Sequence, residues 1–172
     1  QITKNQIDMK LSSKAEKTLD QINDKTKLGD LRKIANEIKK DHDLAMELWA
    51  TGKYLARQLA ILIMDKKLLS QELINELDHG MNEHNENERN HLMDWLMANQ
   101  LFKDKKTVAL MESWENSPSS LQRRIFWYYQ GRLRWMGQAP PSNNEQLLSK
   151  IENQIEKENP EVQWAMNFTA GW

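Results

Sequence analysis

The stretch Tyr54-Leu55-Ala56-Arg57-Gln58-Leu59-Ala60-Ile61-Leu62-Ile63-Met64 decides the fold class. Ten or so residues that are apolar nearly all round, broken only by Arg57 and Gln58, describe a helix packed on every side. The run is too long for an ordinary strand, and its apolar core, Leu59 to Met64, is far too short to cross a membrane. Gly52 lies just before it and marks the end of a preceding helix that Asp43 opens and that covers Leu44 to Ala50.

Outward from this pair the chain reads as helices with definite stops. Upstream, Ser13 with Glu16 forms a capping-box pattern for a helix to about Asn23, and Asp30 caps a helix carrying Leu31, Ile34, Ala35 and Ile38. Downstream, Ser70 starts a helix that Gly80 stops, and Glu88 to Leu101 follows with Leu92, Met93, Leu96, Met97 and Leu101 on one side. Asp104 caps a helix to Trp114. Ser117 and Pro118 open a long helix from about Ser119 to Trp135. Gly137 to Pro141 is the strongest loop signal, Ser142 with Glu145 gives another capping box, and Asn159 with Pro160 begins the last helix. The chain stops at Ala170-Gly171-Trp172 inside an apolar helical pattern, so the natural protein is expected to continue further.

The helices alternate in character. Members with a charged face (Asp43–Ala50, Ser70–Asp78, Asp104–Trp114, Glu145–Lys157) each precede a more apolar or aromatic one, and Arg57, Leu92, Arg123 and Gln163 recur about 31 to 40 residues apart. That period predicts an all-α fold, an α-solenoid of stacked antiparallel helix pairs forming a single domain over residues 1–172. No alternating strand pattern competes with it.

Composition agrees. The chain has 172 residues, with 7 Trp and 9 Met for bulky apolar volume and only 6 Gly and 4 Pro. Zero cysteines exclude disulfides and thiolate chemistry, and fit a cytoplasmic setting. Gln1 to Lys10 lacks the apolar run of a signal peptide. The net charge is −1, but it is uneven: +4 over residues 1–67, −6 over 68–116, +4 over 117–138 and −3 over 139–172. Two basic segments flank an acidic one, which is compatible with a modest positive face.

Several clusters invite chemistry. His79, His84 and His91 lie among Glu83, Glu86 and Glu88, but gaps of five and seven residues do not put two His on one helical face, so a charged solvated connector is the better reading and no metal site is expected. The run Phe126-Trp127-Tyr128-Tyr129 through Trp135 could stack bases, yet at helical spacing it reads as core. No Gly-rich phosphate loop or nucleophile elbow is present.

Leu31-Arg32-Lys33-Ile34, Ala45-Met46-Glu47-Leu48-Trp49, Ala56 to Met64, Leu121-Gln122-Arg123 and Val162-Gln163-Trp164-Ala165-Met166-Asn167, in that order and spacing, resemble the DNA alkylation repair family of AlkD-type glycosylases from about residue 28 onward. The resemblance implies HEAT-like repeats whose concave, positively charged face cradles duplex DNA. It also implies a monofunctional glycosylase that releases N3- and N7-alkylated purines without cofactor or metal. In helix register the family's catalytic Asp falls on Asp94, where the plainer reading is a solvated helix residue. The family's phosphate-binding Arg falls on Arg123, where the plainer reading is an Arg snorkelling over aromatic neighbours. Arg124 adds charge nearby, with Arg132 and Arg134, and a solvated face is the simpler role for each.

Departures from the family pattern are equally specific. Asn90 stands where the family carries a Trp one turn before the Asp. Phe168 replaces the second lesion-flanking Trp, although Trp164 lies one turn earlier. The family's aromatic N-terminal helix is here the polar segment Ala15 to Gly29. Excision is therefore expected to be weak or lost. A monomer binding duplex DNA is the first reading, and a non-catalytic HEAT-like scaffold that binds DNA weakly, or a protein partner, is the second.

Overall fold

The computed structural model describes residues 11–137 and 144–171. The expected capping role of Ser142, most of the expected loop from Gly137 to Pro141, and the segment Gln1 to Lys10 lie outside these residues. The described residues are all-helical, with no strand among them. Among the described residues ten α-helices follow one another: α1 (Ser13–Asp20), α2 (Leu28–Ile38), α3 (His42–Ala50), α4 (Tyr54–Ile63), α5 (Gln71–Met81), α6 (Glu86–Asn99), α7 (Lys105–Glu112), α8 (Ser120–Trp135), α9 (Asn144–Gln154) and α10 (Pro160–Ala170). Short 3₁₀ turns at Lys66–Leu68, Leu101–Lys103, Trp114–Asn116 and Ile155–Lys157 link several of them. No helix among the described residues is long and apolar enough to cross a membrane.

The chain divides into two compact units, Gln1–Gln100 and Leu101–Trp172. In the first, α4 packs against α3, α2 and α6, and α5 packs against α6. α4 is the inner helix the sequence predicts: Ala56, Leu59, Ala60, Ile61 and Ile63 are at most 1% exposed. Each large side chain so buried contributes about 1.5–3 kcal/mol, more than any helix propensity, so packing decides where α4 sits. In the second unit α10 lies along α8, α7 packs on α8, and α9 touches α10. The α8–α10 contact is close because Gly131 has no side chain: a Cβ there would stand 2.5 Å from Phe168 Cδ1 and 3.1 Å from Thr169 Oγ1. Thr169 uses that proximity to donate its hydroxyl to the Trp127 carbonyl.

Several boundaries move from their expected places, each for a local reason. Ser12, not Ser13, caps α1, its hydroxyl accepting from Ala15 N at 3.1 Å, and the helix ends at Asp20 rather than Asn23. Lys27 precedes α2, and Asp30 sits at the third helical position, bonding back to Lys27 N at 2.9 Å. Asp41, rather than Asp43, caps α3 by accepting from Leu44 N, and the Lys14 ammonium bonded to it holds its carboxyl below the usual carboxylate range. Asn85 caps α6, which starts two residues early, and Leu101 has left the helix for the following turn. Gly80 does not stop α5. It lies within the helix, where a Cβ would stand 2.8 Å from Trp49 Nε1. Ser70, Asp104, Ser119 and Pro160 occupy the starting positions their chemistry suits.

Candidate functional site

In the first unit α6 carries Asp94, half-buried on a helix whose Leu92, Met93, Leu96 and Met97 are fully buried. It keeps partial access to solvent, as the plainer reading of a solvated helix residue also requires. Next to it the Trp95 indole is fixed by its Nε1–H, which donates to the Gln58 carbonyl at 3.0 Å. His91 stacks on Trp95 with ring centroids 5.6 Å apart, and Tyr54 meets His91 edge-on at 6.1 Å. The Arg32 guanidinium covers the Trp95 ring at 4.7 Å and donates to Asn99 Oδ1 at 3.4 Å. A cation and three rings thus form one row, whose Trp95 directly follows Asp94 in the chain. Among the described residues, Asn90 Oδ1, His91 Nε2 and Gln58 Oε1 are enclosed without a hydrogen-bond partner. Burial, reinforced by Glu88, pushes the Tyr54 hydroxyl up to about 12.

Of the expected solvated connector, His79, Glu83 and Glu86 are exposed, whereas His84 and His91 depart from it. His84 is a packed side chain rather than a solvated one, with Nε2 3.0 Å from Arg57 Nη1. A guanidinium can only donate, so this ring nitrogen accepts and the Nδ1–H faces Glu88 Oε1 at 3.2 Å. His91 belongs to the aromatic row. Among the described residues no group of three or more His, Asp or Glu side chains is placed to hold a metal ion.

Arg57 itself is 4% exposed, and sequence reasoning gave it no role beyond marking the repeat. Burial lowers its pKa, opposed by Glu83, whose carboxylate lies 3.7 Å away. The signal available was a cation inside an otherwise apolar helix, which must find partners when buried.

The second unit holds the remaining candidates. Arg123 turns its fork onto Glu158: Nε donates to Oε1 and Oε2 at 3.0 and 3.2 Å, and Nη2 donates to Oε2 at 3.1 Å. Nη1 donates to the Ser117 carbonyl at 2.9 Å. Arg123 is therefore held by an anion of its own chain, not laid over an aromatic ring. Arg124 corrects the expectation of a solvated face, being 6% exposed. It donates to the Glu161 carbonyl at 2.9 Å and stacks over Trp164 at 4.5 Å. Arg132 and Arg134 are partly exposed, and Arg134 donates to the Gln130 carbonyl at 2.7 Å.

Trp164 and Phe168, one turn apart on α10, lie nearly parallel at 5.6 Å, and Tyr128 from α8 stacks against both at 5.3 and 5.2 Å. Trp164 is 47% exposed, so the cluster presents an aromatic surface. The structure brings Arg124, Trp164 and Phe168 together and leaves Arg123 on a separate ion pair. The aromatic run on α8 splits accordingly. Phe126, Trp127 and Tyr129 are core, Tyr128 joins the stack, and Trp135 is 57% exposed against expectation. Helical spacing predicts the whole run as core; the available signal for Tyr128 is its place one turn after Arg124. Glu158 was not foreseen, because it lies 35 residues from its partner.

Compared with known proteins, the chain matches a family model described as DNA alkylation repair enzyme over residues 26–169. No curated protein and no solved structure matches it significantly.

Proposed function

The chain belongs to the DNA alkylation repair enzyme family, and on that premise we propose that it binds duplex DNA and that Asp94 is the residue on which excision of N3- or N7-alkylated purines turns. In this reading its helix pairs are HEAT-like repeats of a single α-solenoid domain, and it acts as a monomer in the cytoplasm. The observation that carries the proposal is the half-buried carboxylate of Asp94, on the same helix as four fully buried side chains and directly before Trp95, a member of the row of Tyr54, His91, Trp95 and Arg32.

A purine alkylated at N3 or N7 is cationic and leaves without being protonated. The demand on the protein is to stabilise positive charge developing on the deoxyribose and to orient a water, and one carboxylate serves both ends. Neither metal nor cofactor enters this chemistry. The exposed Trp164, with Phe168 and Tyr128, offers a π surface for a base, and Arg124 backs it from within the unit.

Release of 7-methylguanine and 3-methyladenine from methylated DNA tests the proposal, with the protein in excess over substrate. Excision that falls about 100-fold or more in Asp94→Asn supports it, that being the usual cost of losing one electrostatic catalytic group. No release above the spontaneous rate by the folded protein overturns the enzymatic part.

A second reading, a HEAT-like scaffold without chemistry, is favoured by the engagement of Arg123 with Glu158 and by Asn90 beside Asp94 in place of an aromatic side chain. Affinity that falls steeply with salt supports a DNA-facing surface, whereas salt-insensitive capture of a protein partner supports the scaffold.

A further inference from the structure

We propose that the Glu158 carboxylate occupies the position of a DNA phosphate on Arg123, so that Glu158 sets how much this arginine contributes to DNA binding. The inference rests on the DNA-binding reading above.

Four observations lead to it. The first is the fork itself. Two guanidinium nitrogens, Nε and Nη2, point along parallel bonds of 3.0 to 3.2 Å at the two oxygens of one carboxylate. A phosphodiester presents two oxygens in a similar arrangement and is the other natural partner of this geometry. The second is placement. Glu158 directly precedes Asn159, the residue that caps α10, so its carboxylate lies at the positive end of an 11-residue helix. That end favours an anion whatever its source. The third is preorganisation. Nη1 is tied to the Ser117 carbonyl at 2.9 Å, so the guanidinium stays aimed when Glu158 swings away. The fourth is access, since the Arg123 and Glu158 side chains remain 20% and 15% exposed, leaving the pair reachable from water.

The exchange needs little rearrangement. Glu158 sits between a 3₁₀ turn and α10, outside both, and only its own side chain must rotate to uncover the fork. Replacing one anion by another on a partly hydrated guanidinium is close to balanced. Removing the internal anion's charge should therefore tilt the exchange clearly towards the external one. With Glu158 in place Arg123 is neutralised, and its positive charge is hidden from an approaching duplex.

The test is fluorescence anisotropy of a labelled duplex oligonucleotide titrated with the wild type, Glu158→Gln, Arg123→Gln and the double variant, across a range of salt. Glu158→Gln is expected to bind about tenfold tighter at low salt, the order of one charge-assisted pair. The magnitude of its log K against log salt slope should grow by about 0.9, one additional phosphate neutralised. The gain should vanish in the double variant, and Arg123→Gln should cost less affinity when Glu158 is present than when it is Gln. Glu158→Asp, whose shorter side chain reaches the fork less well, should show a smaller gain, and it serves if Glu158→Gln fails to fold. Salt-dependent binding by the wild type with no change in Glu158→Gln overturns this inference and leaves the DNA-binding reading standing. A lower melting temperature with unchanged affinity means that the pair is only a tie between α8 and α10, and also overturns it. Absence of salt-dependent binding in every variant overturns both.

Discussion

Arg57 lies over the Trp49 indole, its guanidinium carbon 4.8 Å from the ring centroid, while its Nε donates to the carbonyl of that same tryptophan at 3.0 Å. Its Nη1 reaches the Gly80 carbonyl at 2.7 Å. Both carbonyls belong to the last turns of helices, α3 and α5, where the dipole is negative; each accepts one backbone N–H, from Gly52 and Glu83, and Arg57 takes the remaining lone pair. One buried cation from α4 thus closes two helix ends, and the absence of a side chain at Gly80 lets the two helices approach it.

Arg57→Leu is expected to destabilise the protein by about 2–4 kcal/mol, since it removes two charge-assisted hydrogen bonds to helix-end carbonyls and a desolvated cation–π contact. Arg57→Lys should recover little, because a point charge cannot span the Trp49 carbonyl, the Gly80 carbonyl and His84 together. Urea denaturation followed by circular dichroism checks this. A lysine variant as stable as the wild type would show that charge alone, and not the fork, holds the junction.

Gly131→Ala should force the Phe168 ring away from α8, because the added methyl would stand 2.5 and 2.6 Å from two of its ring carbons. The expected loss is about 1–3 kcal/mol, the usual range for overpacking. Disturbing the stack that Phe168 shares with Tyr128 and Trp164 should also change tryptophan fluorescence. Adding Phe168→Leu should restore part of the stability. Full stability in Gly131→Ala alone would mean that the α8–α10 contact yields more easily than its geometry implies.

Tyr54 gives the protein an alkaline weakness. Its hydroxyl ionises near 10 in the unfolded chain and at about 12 in the folded one, because burial and the nearby Glu88 disfavour the phenolate. A group raised in this way contributes stability fully below pH 10 and loses it as the pH climbs towards 12. Tyr54→Phe should flatten that part of the stability profile, while the decline from Tyr129, also raised by burial, remains. An unchanged alkaline slope in Tyr54→Phe would place the loss elsewhere.

The helical class, the number of helices from Ser13 onward and the inner position of α4 were legible in the chain, because each follows from local rules: apolar spacing, capping oxygens, and Pro or Gly at helix ends. Where those rules were ambiguous the boundaries slipped. Two adjacent serines at Ser12 and Ser13, or aspartates at Asp41 and Asp43, offer near-equal caps, and nothing in sequence marks Lys39, which closes α2 with a φ of 65°. Asp94 is partly exposed on the helix that helical register expected to carry it. The partners of the charges were not legible. Glu158 lies 35 residues from Arg123, and Gly80 lies 23 from Arg57. Which anion or carbonyl a cation meets depends on which helices pack together, and the burial that makes such a meeting strong exists only after they have packed. The sequence by itself therefore determined the family, the helices and the inner helix of the first unit. Only the tertiary structure decided that Arg57 closes two helices, that Arg124 is buried beneath an exposed tryptophan, and that Arg123 is already held by an anion.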